Sequence, residues 1–221
     1  MVNQLTNETI GITAEKIICD IGNIPFKASN RTNKEIEEQL KPLIIKIFTF
    51  LSKPIKYDSN GEIDFILENM MTLSVKTIKN SKYSKVCPQL IGQTTKKRFL
   101  EYFQSPLEPN VNNCKEFIEK NIAIIVREEW NHLFSCDFLM YIFFTNVWNC
   151  KIFKKNLRCP FTLPINRYPD DIKSPFTFTR VGIKWKESTT IKYNGKSIAE
   201  MQIHRNRDCV KFRFNMNNII E

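Results

Sequence analysis

An aspartate and a lysine stand at the two ends of a short hairpin pattern. Gly61 to Thr77 reads as two short apolar strands joined by a polar turn, with Asp64 near the start of the first and Lys76 in the second. A carboxylate is the ligand that hard divalent cations take. An ammonium suits a phosphate oxygen and can help orient or deprotonate an attacking water. Hydrolysis of a phosphodiester needs these parts: a cation, a positioned water and stabilisation of developing negative charge. Ser74 and Lys76 are two apart on one strand, so they share a face. Val75 between them points into the core, and its carbonyl is available as a metal ligand.

Other elements must hold this pair. Thr13 to Ile21 has helix character, with Ile17, Ile18 and Ile21 on one face and Thr13 as N-cap, which places Glu15 in the first turn. Thr32 to Leu51 is expected to be a second helix, with a capping-box spacing from Thr32 to Glu35 and with Pro42 kinking or dividing it. Ser59-Asn60-Gly61 is a turn, and Lys79 to Lys85 a polar loop. Pro88 to Phe103 reads as helical. Asn113 to about Trp148 reads as one long helix or two, apolar on most faces and hence buried. From Cys150 to Asn215 the pattern switches to strands. Tyr193-Asn194-Gly195-Lys196 is a hairpin turn, and Val210 to Phe214 alternates strictly. This order predicts an α/β (α+β) fold, a mixed sheet flanked by helices. A single domain over 1–221 is expected, with a catalytic front over 1–150 and a basic β-rich part over 151–221.

The charge is uneven. Residues 151–221 hold fifteen Lys and Arg against six Asp and Glu, whereas residues 1–150 hold eighteen against seventeen. Such asymmetry points to a polyanionic partner, nucleic acid above all. The seven cysteines include no Cys-x-x-Cys pair and the chain has two histidines, which argues against structural zinc and for free thiols in a reducing cytoplasm. His132 beside Trp130 and Leu133 reads as a packed histidine. Tyr141, Phe143, Phe144 and Trp148 read as core or a subunit interface. No apolar run reaches membrane-spanning length, and no secretory signal is visible.

The candidates for reading duplex DNA cluster near the end of the chain. Gln202, His204, Arg205, Asn206 and Arg207 are residue types that bond base edges. Lys211 and Arg213 share one strand face and would meet phosphates. Lys96, Lys97 and Arg98 form a second basic cluster, with Lys82 and Lys85 as lesser candidates.

The hairpin residues resemble the PD-(D/E)xK nuclease superfamily, in which an Asp is followed some ten to twenty residues later by an acidic or polar residue, any residue, and Lys. Here those are Asp64 and Ser74-Val75-Lys76, with Ser74 where an acid is usual and Ile63 where proline often stands. Members lacking the second acid often recruit a Glu from an N-terminal helix, and Glu15 in Gly11-Ile12-Thr13-Ala14-Glu15-Lys16 occupies such a place, with Glu62 next in line. The resemblance implies Mg²⁺ held by Asp64, Glu15 and the Val75 carbonyl, with Asp64, Ser74, Lys76 and Glu15 as catalytic residues. Chain length and the basic end look like a type II restriction endonuclease, a homodimer cutting double-stranded DNA. The competing expectations are a structure-specific repair or recombination nuclease, and a DNA-binding protein without catalysis.

Overall fold

A computed structural model describes residues 5–27, 30–58, 63–80, 85–155, 157–161, 174–180 and 185–219. The chain divides into two compact units, Met1–Ser84 with Phe134–Leu157, and Lys85–Leu133 with Arg158–Glu221. Residues 85–133, read from composition as part of the front, belong with the basic end. The second unit carries nineteen Lys and Arg against twelve Asp and Glu.

The first unit is a mixed sheet with two helices. Helix α1 (Asn7–Gly22) starts at Thr6, whose hydroxyl accepts from the Thr9 amide at 3.0 Å. Helix α2 (Lys34–Phe48) is capped by Asn33, not Thr32, with the side chain accepting from Ile36 N at 3.0 Å. Pro42 does not divide α2. The carbonyl that Pro42 leaves unbonded belongs to Glu38, and both residues lie on the exposed face, where water can satisfy it. The first stretch of this unit supplies the strands β1 (Pro54–Tyr57), β2 (Phe65–Leu67) and β3 (Thr72–Ile78).

The second unit opens with β4 (Lys85–Val86), β5 (Gln93–Thr94), α3 (Lys96–Tyr102) and α4 (Val111–Leu133). The helix expected over Pro88 to Phe103 is therefore confined to its second half, where Thr95 caps it. The chain then returns to the first unit as β6 (Phe138–Phe144) and β7 (Trp148–Lys154). The expected helix to Trp148 stops at Leu133, and the apolar run that follows is a strand. Strands buried on both faces read as continuous apolar runs, and periodicity cannot tell seven such residues from a buried helix. The order of the first sheet is β1-β2-β3-β6-β7, antiparallel except for the parallel β3–β6 pair. Ile10, Ala14, Ile17 and Ile18 of α1 and Leu40 and Ile44 of α2 pack with Phe65, Leu73, Val75, Met140 and Ile142.

The rest of the second unit is β8 (Phe176–Phe178), β9 (Ser188–Tyr193), β10 (Lys196–Ile203) and β11 (Val210–Asn215). The order is β4-β11-β10-β9-β8, with β5 also paired to β11. Asn194 and Gly195 have positive φ values of 47° and 80°, as the predicted two-residue hairpin turn requires. Ala199, Met201, Ile203, Val210, Phe212 and Phe214 form the core face, where Trp130 of α4 meets Phe214 edge-on at 5.6 Å. All seven cysteines are free, and Cys19, Cys114 and Cys136 are buried. Among the described residues no helix is long and apolar enough to cross a membrane.

Candidate active site

The hairpin pair is brought together in the first unit. Phe65 pairs with Leu73 and Ile66 with Thr72, so Asp64 comes level with Ser74. The Asp64 carboxylate accepts from Ser74 Oγ at 3.0 Å and from the Val75 amide at 2.6 Å, both on Oδ2. Ser74 is thus a buried donor that fixes the aspartate. Val75 packs into the core with α1 and α2, on the face of β3 opposite Ser74 and Lys76. Lys76 is half-buried.

Burial raises the Asp64 carboxyl above its ordinary range. Lys76, the Val75 amide and Ser74 pull it down, and Asp58 pushes it up again. Glu15 on α1 joins the same electrostatic group. Burial raises it, a 2.6 Å bond from Tyr57 Oη lowers it, Asp64 raises it and Lys76 lowers it. Asp64, Lys76 and Glu15 therefore form one constellation. Among the described residues no group of three or more His, Cys, Asp and Glu side chains has metal-ligand spacing, so a cation here would draw on two carboxylates, backbone and water.

Sequence reading missed Tyr57, which holds Glu15, and Asp58, which lies with Lys56, Ile63 and Asp64 along one cleft. The usable signal was Ser59-Asn60-Gly61. Those three residues lie outside the described ones, but a turn signal in a sequence announces the strand before it as well as the one after it. The spare acid Glu62 lies outside the described residues, as does Lys82.

The DNA-reading candidates fall in the second unit. Gln202 is on β10 opposite Lys211 of β11. His204, Arg205, Asn206 and Arg207 lie in the β10–β11 connection, with residues 205–207 exposed. The Arg205 amide donates to Glu187 Oε1 at 2.9 Å, and His204 Nδ1 is 4.0 Å from Glu187 Oε2. Lys97 and Arg98 are exposed on α3. Two residues do not sit as a phosphate contact would. Lys96 is only 7% exposed, and its ammonium donates to the Arg207 carbonyl at 2.7 Å, while its amide donates to Asp208 at 2.9 Å. It tethers the loop from inside. Arg213 is ion-paired with Glu200, which also takes Lys85 at 3.0 Å. His132 is half-buried against Tyr102, with 2.8 Å between Nε2 and the hydroxyl, as a packed histidine should be.

No protein-family model and no solved structure matches the chain. The chain is, however, 35% identical over 217 residues, 98% of its length, to the type II restriction enzyme CviAII of Paramecium bursaria Chlorella virus 1. It spans about 60% of that protein.

Proposed function

We propose that this chain is a sequence-specific endonuclease of the type II restriction kind, hydrolysing double-stranded DNA with Mg²⁺ through a PD-(D/E)xK-type site. The observation that carries this reading is the Asp64 carboxylate, fixed by Ser74 and Val75 within electrostatic reach of both Lys76 and Glu15. The similarity to CviAII supports it from a separate direction.

The donor set suits a hard cation. Two desolvated carboxylates repel one another, and both Asp64 hydrogen bonds fall on Oδ2, so Oδ1 lies outside them. The Val75 N–H points toward Asp64. A residue in a strand projects its N–H and C=O to the same side, so the Val75 carbonyl faces the same place. Asp64, Glu15 and that carbonyl would hold the ion. Bound Mg²⁺ supplies charge neutralisation at the phosphate and a more acidic water. Lys76 supplies a compact positive charge for a phosphate oxygen, while Ser74 and Tyr57 keep the two acids oriented. A palindromic target would require a two-fold homodimer.

The test is incubation of long duplex DNA with the purified protein and Mg²⁺, beside Lys76→Ala. Discrete fragments from the parent and none from the variant are expected. An uncut substrate, or a variant as active as the parent, would overturn the assignment.

A further inference from the structure

Residues opposite one another in an antiparallel ladder put their side chains on the same face. On the solvated face of the second unit's sheet, two adjacent rows of polar side chains result. One runs through Thr190, Glu200 and Arg213 on β9, β10 and β11. The other runs through Ser188, Gln202, Lys211 and Gln93 on β9, β10, β11 and β5.

The two rows differ in how their groups are used. Glu200 is bonded by Lys85 at 3.0 Å, by Ser188 at 3.1 Å and by Arg213, so the first row is occupied by its own ion pairs. In the second row, no side-chain hydrogen bond or ion pair among the described residues falls on Gln202, Lys211 or Gln93. Gln93 is exposed, and Gln202 and Lys211 are half-exposed.

We propose that the row Gln202–Lys211–Gln93 reads base edges in the major groove of duplex DNA, with Gln93 as a specificity-determining residue. This rests on the endonuclease reading above. Neighbouring strands lie about 4.8 Å apart, so three side chains on consecutive strands span about 10 Å. That fits a groove about 12 Å wide. Glutamine bonds adenine through two contacts and lysine bonds the guanine acceptors, so an amide–ammonium–amide order is a readable pattern. Charge complementarity favours the same occupant, because the unit has nineteen cationic residues against twelve acidic ones and the central acid of this face is already held by two cations. β11 is paired on both sides, which keeps the row rigid.

The cognate site is first defined by the parent's cleavage fragments. Gln93→Ala and Gln202→Ala are then compared with the parent for binding to cognate and scrambled duplexes, with Ca²⁺ replacing Mg²⁺. Each variant should lower the cognate-over-scrambled ratio about fivefold to a hundredfold, the scale of one lost bidentate contact. Affinity for the scrambled duplex should stay unchanged, which also reports that the variants are folded. Unchanged ratios in both variants, with the parent cutting at its site, would overturn this assignment alone. A parent that neither binds nor cuts duplex DNA would overturn it together with the endonuclease reading.

Discussion

Half-buried carboxylates beside the two sheets meet opposite fates. In the first, Asp64 and Glu15 are raised above their ordinary range; in the second, Glu200 is lowered below it. Burial pushes all three the same way. The difference is the supply of positive charge. Asp64 and Glu15 share one lysine and repel each other, with Asp58 adding to the repulsion, whereas Lys85 and Arg213 both converge on Glu200. Desolvated acids short of positive charge are where a divalent cation gains most. An acid surrounded by cations is a clamp. For these three partly exposed acids, counting the neighbouring charges separates the candidate metal centre from the clamp, and burial alone does not.

The largest expected effect tests the first half of that contrast. Asp64→Asn keeps the shape and removes the charge, so cleavage should fall at least about a hundredfold while duplex binding persists. Cleavage within a few-fold of the parent would leave Asp64 as a structural acid like Glu200. Glu15→Gln should act more mildly. The Mg²⁺ concentration for half-maximal cleavage should rise about 10–100-fold, with activity partly recovered at high Mg²⁺. An unchanged metal titration would move the missing acid elsewhere, with Asp58 the nearest described choice.

Glu200→Gln probes the other half. It frees Arg213 and Lys85, so binding to every duplex should tighten and the log–log salt slope steepen by about 0.9 for each phosphate gained. A salt slope equal to the parent's would mean that those cations lie away from DNA. The smallest effect is expected at Glu129, which is fully buried on α4 with neither oxygen hydrogen-bonded among the described residues. Burial holds its carboxyl well above the ordinary value of 4.5. In the unfolded chain it ionises at that ordinary value, so unfolding releases a proton at higher pH. Stability from this group is full below pH 4.5 and is lost as pH rises toward the folded-state value. Glu129→Gln should flatten that decline and raise Tm at pH 7–8, by about 2–4 °C for each kcal/mol of penalty removed. Parallel Tm–pH curves for the two proteins would contradict it.

The local parts of the site were legible because they rest on period-two patterning and turn chemistry. Ser74, Val75 and Lys76 alternate as a strand must, and Glu15 lies on a helix whose apolar face is plain. The hairpin at Asn194-Gly195 and the alternation of Val210 to Phe214 were legible for the same reason. What escaped was long-range. Phe138 to Phe144 looks like a buried helix until its parallel partner β3 is known. Gln93 becomes a neighbour of Lys211 only through a pairing between residues more than a hundred positions apart. Lys96 looks like any surface cation in a basic cluster, and only the loop around Asp208 shows why it is inside. The ion pairing of Arg213 with Glu200 is likewise a product of cross-strand register.

The parallel β3–β6 pair also governs when the site can exist. Its register runs from Leu73 opposite Phe138 to Ile78 opposite Phe143, and the whole of α3 and α4 is made between the two strands. Such distant pairing closes late and slowly, because the loop entropy must be spent before any contact repays it. A nascent chain that has emerged only as far as Leu133 already contains Glu15, Asp64, Ser74 and Lys76. It still lacks the strand against which β3 is seated, and β3 remains an open edge. Synthesis itself therefore sets the order of events: the proposed catalytic side chains are made early, and the framework that aligns them is completed only once β6 and β7 have been translated.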